Sequence, residues 1–174
     1  MRCTHAQSTP GHTYHYALFV AAKSGAGSIT KHHVKNTLQI DAAGETTAPW
    51  RYERTEVSNV EHEHRLLVRV VIAKVLKPGN AAERALKFVP VNVIDGVDKA
   101  QAESFTCRTL VRDALQELEK QGVVSNETRG WDAVELRALQ YVDNKRAQKR
   151  WDSAWTGCPG VPTMDLLVGK EIFE

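Results

Sequence analysis

The sequence is poor in cysteine, has no long apolar run, and shows no strong excess of either charge. Its three cysteines, Cys3, Cys107 and Cys158, are an odd number at wide spacing, which excludes a disulfide framework and a short-spaced zinc site. No stretch approaches the roughly 20 apolar residues of a membrane helix, and we expect no signal peptide at the polar N-terminus. A net charge of +2 is too small to indicate nucleic-acid binding.

What remains is ordinary globular composition: 174 residues, 42% hydrophobic and 25% charged. This length fits one domain with a core of its own. We therefore expect a flexible segment over residues 1–12 and a single domain over 13–174. Because the thiols read as reduced, the expected location is cytoplasmic. We expect no membrane span and no nucleic-acid partner, and the sequence gives no indication of oligomeric state.

Strand patterns come first along the chain and helical patterns follow. Alternating or continuous apolar runs predict strands over residues 14–20, 29–40, part of 50–63, and 66–75. Apolar residues at steps of three and four predict helices over residues 81–87, 105–120 and 131–151. Asn80 and Glu83 are spaced as a capping box for the first helix. This order indicates an α+β fold, with an antiparallel sheet packed on helices.

Three other features suggest sites, but ordinary structure explains each more simply. Gly25-Ala26-Gly27 lacks the further residues of a phosphate-binding loop and is typical of a hairpin turn. His62, Glu63 and His64 have no third ligand partner in view and are interpreted as a solvated edge rather than a metal site. The positive run 145–150 is typical of an exposed helix end. We therefore expect no cofactor and no metal.

Cys107 is the cysteine best placed for chemistry. It lies in the first turn of the helix over 105–120, where the helix N-terminus lowers a thiol's pKa, and it belongs to that helix's apolar stripe. A thiol nucleophile needs a base and a group that orients the base, and His15 and His33 lie on predicted strands. The alternative is that all three are ordinary core or strand residues, since cysteine is among the most buried residue types.

The motifs around these residues resemble a known family. His15-Tyr16-Ala17-Leu18-Phe19-Val20 resembles the "His-Trp-Ala-(apolar)-(aromatic)-Val" strand of the lecithin:retinol acyltransferase-like proteins, in the circularly permuted branch of the NlpC-type, papain-like superfamily. His33-Val34 is similar to the second "His-apolar" position of that family. Phe105-Thr106-Cys107-Arg108 is similar to its "Asn-Cys-x-x" helix start. These motifs are more similar still to those of a fungal group of domains of unknown function with this architecture.

The resemblance implies a permuted papain-like fold and a role for each site residue. Cys107 would be the nucleophile, His15 the base, and His33 the residue that orients His15. His32 is the competing second histidine, and strand alternation sends His32 and His33 to opposite faces. The sequence departs from the family at Tyr16, Thr106, Arg108 and Leu110, which replace Trp, Asn, Gln and Trp.

Two hypotheses follow for the function. In the first, the chain is a thiol-dependent enzyme that acts on an acyl bond of a small molecule or peptide, by amide or ester hydrolysis or by acyl transfer through a thioester. In the second, it is a non-catalytic binding or interaction module that retains the fold with a degenerate site. Selective alkylation of Cys107 that depends on His15 distinguishes the two.

Overall fold

A computed structural model describes residues 2–4, 14–21, 29–40, 42–60, 63, 65–77, 79–89, 105–125, 130–157 and 160–172. The strands are β1 (Arg2–Thr4), β2 (Ala17–Val20), β3 (Ile29–Lys35), β4 (Gln39–Ile40), β5 (Thr46–Thr47), β6 (Arg51–Val57), β7 (Arg69–Val71), β8 (Thr163–Asp165) and β9 (Lys170–Ile172). The helices are α1 (Ala81–Leu86), α2 (Cys107–Lys120) and α3 (Trp131–Ala147). Strands thus precede helices over most of the chain, and the α+β class is confirmed.

Within the described ranges, seven strands form one sheet in the order β6-β3-β2-β1-β7-β8-β9. Neighbouring strands are antiparallel except β7 and β8, which run parallel. Parallel neighbours need a long crossover connection, and the chain between β7 and β8 contains the three helices of the described ranges. The strands β4 and β5 pair with each other in a separate ribbon.

Helix α2 forms as its sequence pattern predicts. The six residues of its apolar stripe, from Cys107 to Leu118, are all buried. Thr106 caps the helix: its hydroxyl accepts from the Thr109 backbone N–H, and the Thr109 hydroxyl accepts from the Thr106 N–H. The helix ends before Gly122, which has a φ of +60°, a backbone conformation that glycine adopts without strain.

The two faces of the sheet bury different sets of side chains. On one face Leu18, Val34 and Val70 pack with α2 and α3 in the main core. On the other face Ala17, Phe19, Val57 and Val60 form a smaller cluster. Because neighbouring residues of a strand point to opposite faces, each residue of β2 and β3 belongs to one environment or the other, and this assignment positions the candidate site.

Several boundaries differ from those predicted. The segment expected to be flexible contains β1, which pairs with both β2 and β7; three residues are too few for a periodicity to show, so neighbouring strands determine this one. Within the predicted strand 66–75, only β7 is a regular strand. A continuous apolar run indicates that a segment is buried, but it does not indicate which residues pair with a neighbouring strand. The predicted strand 29–40 is divided between β3 and β4.

Two helix predictions also need correction. Glu83 forms an ion pair with Arg54, and Asn80 makes no side-chain cap on α1, so the capping box is wrong. Helix α3 ends at Ala147, four residues before the predicted end of the helix at 151. The turn at Gly25-Ala26-Gly27, His62, His64 and Cys158 lie outside the described residues.

Candidate functional site

The register of the sheet decides which candidate histidine meets which neighbour. His32 pairs with Leu18 across β2 and β3 and with Arg54 across β3 and β6. Directly paired residues share a face, so His32 lies on the helix side. His33 pairs with Glu53 and lies on the opposite face. The alternation expected for the two histidines is thus observed, and His33 is the one that contacts His15.

His15, His33 and Glu53 form a continuous chain of side-chain hydrogen bonds. The Nε2 atom of His15 lies 3.0 Å from Nδ1 of His33, and Nε2 of His33 lies 2.9 Å from Oε2 of Glu53. The two imidazole rings meet edge to face at an interplanar angle of 85°. Lys35 donates to the other oxygen of Glu53 at 2.8 Å. The chain therefore ends in a carboxylate that is bound on both oxygens.

The electrostatics of this chain keep both imidazoles neutral near pH 7. Burial, reinforced by His33 and Lys31, lowers the pKa of His15 to about 4. Burial is also the main cause of the lowered pKa of His33, although its contact with Glu53 acts in the opposite direction. The hydrogen bond from Lys35 lowers the pKa of Glu53. A neutral imidazole next to an ionised carboxylate can accept a proton from a substrate or a thiol.

Cys107 occupies the N-terminal end of α2, as predicted, but its thiol is not activated there. It is 7% exposed, and burial raises the pKa of the Cys107 thiol. Backbone hydrogen bonds at Tyr16 and Arg108 oppose this effect without overcoming it. The backbone N–H groups at the helix N-terminus lower this pKa, as expected, but desolvation of the thiolate is the larger effect and the net shift is upward.

The structure places Cys107 beside the backbone that carries His15 rather than on its imidazole. The thiol donates to the Tyr14 carbonyl oxygen at 3.8 Å. Tyr14 and Tyr16 belong to the helix-side core, whereas His15 bonds to His33 on the other face. Within the described part of the chain, the two imidazoles are joined to each other, and no hydrogen bond joins either of them to Cys107.

Helix α3 holds the two tyrosines that flank His15. The Tyr16 hydroxyl donates to Oε1 of Glu135 at 3.0 Å, and the Arg108 guanidinium donates to both oxygens of the same carboxylate. Arg146 donates to the Tyr14 hydroxyl at 2.7 Å. Tyr16 and Arg108 are two of the residues at which the sequence departs from the acyltransferase-like motif. The Glu135 carboxylate links these two residues.

A cleft of about 350 Å³ opens on the face that carries the histidine chain. Its lining is mostly polar and includes two members of the chain. The lining residues are Lys31, His33, Glu53, Thr55, Glu56, Val57, Ser58, Asn59 and Glu63. Lys31 donates to Glu63 at 2.6 Å across it. A polar ligand bound here would contact His33 and Glu53.

Glu53, Glu135 and Arg146 are site residues that sequence reasoning missed. The sequence of β6 is mixed and charged and alternates only weakly, so it gave little indication that Glu53 faces the cleft. Its partner depends on strand register, which the pattern does not give. As for metals, no group of three or more His, Cys, Asp or Glu side chains within the described ranges is placed to hold an ion.

Comparison with known proteins adds a family but no activity. A model described as a family of unknown function, DUF6914, matches residues 3–173. No curated protein and no solved structure matches the chain. None of the described helices is long and apolar enough to cross a membrane.

Proposed function

Because the chain belongs to the DUF6914 family of unknown function, we propose its activity from the site: a thiol-dependent enzyme that acts on an acyl bond. Cys107 is the nucleophile, His15 the base and His33 the residue that orients His15. The observation that carries the proposal is the hydrogen-bonded chain from His15 through His33 to Glu53. Such a chain supplies a base and the groups that orient it, which nucleophilic catalysis requires, and the Cys107 thiol lies beside the same segment.

The proposed reaction passes through a thioester. His15 takes the proton of the Cys107 thiol while sulfur attacks the carbonyl carbon of an amide or ester. The bond to the leaving amine or alcohol breaks, and His15 returns the proton to that group. Water then attacks the thioester and gives up its proton through His15, which releases the acid and restores the thiol. An amine or alcohol in place of water gives acyl transfer.

The first step requires the thiol to exchange one partner for another. Its proton is now directed at the Tyr14 carbonyl, and catalysis requires the thiol to leave this acceptor and meet the His15 imidazole. Backbone N–H groups at the start of α2 are unused by the helix ladder and serve as donors to the oxyanion that forms on attack.

The order of elements along the chain supports the same proposal. His15 and His33 precede the helix that begins at Cys107, and this helix packs on the sheet that contains His33. This is the chain order of the permuted papain-like architecture. We assign the chain to that architecture, and its substrates to small molecules or peptides with an acyl bond. The setting is the cytoplasm, where the thiols remain reduced.

A second candidate function is a non-catalytic binding module with the same fold. The observation that favours it is the thiol itself, which is buried, has a raised pKa and donates to a backbone carbonyl rather than to an imidazole. In that case the polar cleft over His33 binds a ligand without chemistry.

Acylation by an activated ester, p-nitrophenyl acetate, separates the two candidates. In a Cys3→Ser, Cys158→Ser background, mass spectrometry should locate an acetyl group on Cys107 of the native protein. His15→Ala should slow this acylation by about 100-fold, the usual contribution of a general base. His32→Gln is the matched control, because His32 faces away from His15 and bonds to Tyr52 instead, so the rate should be nearly unchanged. The proposal of a thiol-dependent enzyme is contradicted if acylation is no faster in the native than in the unfolded protein. It is also contradicted if His15→Ala leaves the acylation rate unchanged.

A further inference from the structure

The histidine chain ends in a group that can only accept hydrogen bonds. Lys35 and His33 bind the two different oxygens of Glu53. The ammonium of Lys35 favours the ionised carboxylate, and the pKa of Glu53 is lowered accordingly. An ionised carboxylate has no proton to donate. The nitrogen that faces it, Nε2 of His33, must therefore carry the proton of that hydrogen bond.

The proton at this end determines the protonation of every other nitrogen in the chain. A neutral imidazole carries one N–H, so Nδ1 of His33 has only its lone pair. This lone pair lies 3.0 Å from Nε2 of His15, which must in turn carry the proton between them. The remaining nitrogen of His15, Nδ1, is left with a lone pair.

We propose that Glu53 is a positioning residue that fixes the tautomers of His33 and His15, so that Nδ1 of His15 is the proton acceptor of the site. The catalytic use of that nitrogen rests on the function proposed above, but the tautomers themselves do not. In the reverse arrangement, the lone pair of His33 Nε2 faces a carboxylate oxygen at 2.9 Å with no proton between them, which is repulsive.

NMR of the full chain with ¹⁵N-labelled histidine tests the tautomers directly. Near neutral pH, Nε2 of both His15 and His33 should have the chemical shift of a protonated nitrogen, and Nδ1 of both that of an unprotonated one. Glu53→Ala should shift His33, and through it His15, toward a mixture of tautomers. Glu53→Gln keeps an acceptor oxygen at the same position and should preserve the wild-type pattern.

Glu117→Ala is the control, because Glu117 is a carboxylate that forms an ion pair with Lys120 on α2 and does not line the cleft. It should leave the histidine signals unchanged. A protonated Nδ1 on His33 in the wild type overturns the proposal, and so does an unchanged pattern in Glu53→Ala. If Glu53→Ala does not fold, the wild-type spectrum and Glu53→Gln still decide.

The rate of Cys107 acylation separates this inference from the proposed function. If both hold, Glu53→Ala slows acylation by about tenfold, below the full contribution of the base, and Glu53→Gln restores most of it. If the tautomers are as inferred but no variant of Glu53 or His15 changes the acylation rate, Glu53 still fixes the tautomers of His33 and His15. In that case the proposal of an enzyme fails.

Discussion

At the scale of single residues, two adjacent histidines have opposite environments and different roles. His33 faces the cleft and belongs to the chain with His15. His32 is 2% exposed on the helix side, where its Nδ1 lies 2.6 Å from the Tyr52 hydroxyl. Its Nε2 has no hydrogen-bond partner within the described residues. Burial, with a smaller effect from Arg54, lowers the pKa of His32 to about 4.

His32 should make stability fall in acid. Its folded pKa of about 4 lies below the ordinary value near 6.5. The unfolded chain therefore binds more protons between these values, and the free energy of unfolding decreases as the pH falls through this window. His32 therefore contributes about 3 kcal/mol to the free energy of unfolding near pH 7, and this contribution is lost in acid. Urea unfolding near pH 7 and near pH 4.5 should show the loss.

His32→Gln is the variant that isolates this effect. It should be less stable than wild type near pH 7, yet lose clearly less stability on acidification. Some pH dependence should persist, because His15 also has a lowered pKa. An acid-induced loss equal to that of wild type argues against a neutral, buried His32.

Residue type and local motif indicated His15, His33 and Cys107 as candidates, but they did not indicate the partners of these residues. The His33–Glu53 contact depends on the register of two strands, and a one-residue shift of register exchanges the faces. Burial of Cys107 reversed the predicted direction of its pKa shift, because the local helix position does not reveal how much core surrounds a thiol. A single sequence gives positions along the chain, whereas pKa values depend on neighbours from several elements.

At the scale of elements, α2 was predictable and the role of α3 was not. The apolar stripe and the Thr106 cap of α2 are local features, and both are observed. The contribution of α3 is a set of polar contacts to residues far away in sequence: Tyr16 and Glu135 are 119 positions apart. The apolar pattern of α3 carried no information about which polar residues anchor the segment around His15.

Removal of Glu135 should destabilise the protein through this anchor. Its side chain is mostly buried and accepts from both Tyr16 and Arg108. Hydrogen bonds to charged groups contribute about 2 kcal/mol, so Glu135→Ala should lower the free energy of unfolding by about that amount. Chemical denaturation measures the change.

Asp143→Ala on the same helix provides the comparison. Asp143 is exposed and its ion pair with Arg146 spans three residues, so its loss should have an effect below about 0.5 kcal/mol. In a double-mutant cycle, Tyr16→Phe should cost less in the Glu135→Ala background than in wild type. Additive effects argue that Glu135 does not link strand and helix as described.

At the scale of the whole molecule, the end of the chain completes the sheet begun at its start. Strand β8 lies parallel to β7, and β9 pairs with β8 at the edge. These strands have three residues each, too short for an alternation to indicate. The sequence indicated the fold class through the longer elements, while the position of the last strands depends on contacts over nearly a hundred residues.

One buried polar contact joins these distant parts of the sheet. Arg69 of β7 is 3% exposed and Thr163 of β8 is fully buried. The Nε of Arg69 donates to the Thr163 hydroxyl at 2.8 Å, and that hydroxyl donates to the Val161 carbonyl at 3.0 Å. A buried cation needs such acceptors, because its desolvation is costly.

Thr163→Val should therefore destabilise the protein although the two side chains have nearly the same shape. The substitution removes an acceptor from the buried guanidinium and a donor from Val161, at a cost of about 2 kcal/mol. Thr163→Ser keeps the hydroxyl, loses one methyl group, and should cost about 1 kcal/mol. Urea unfolding of the three proteins measures the difference. A valine variant as stable as the wild type contradicts a role for this hydroxyl, because the methyl group alone then accounts for the packing of β8 on β7.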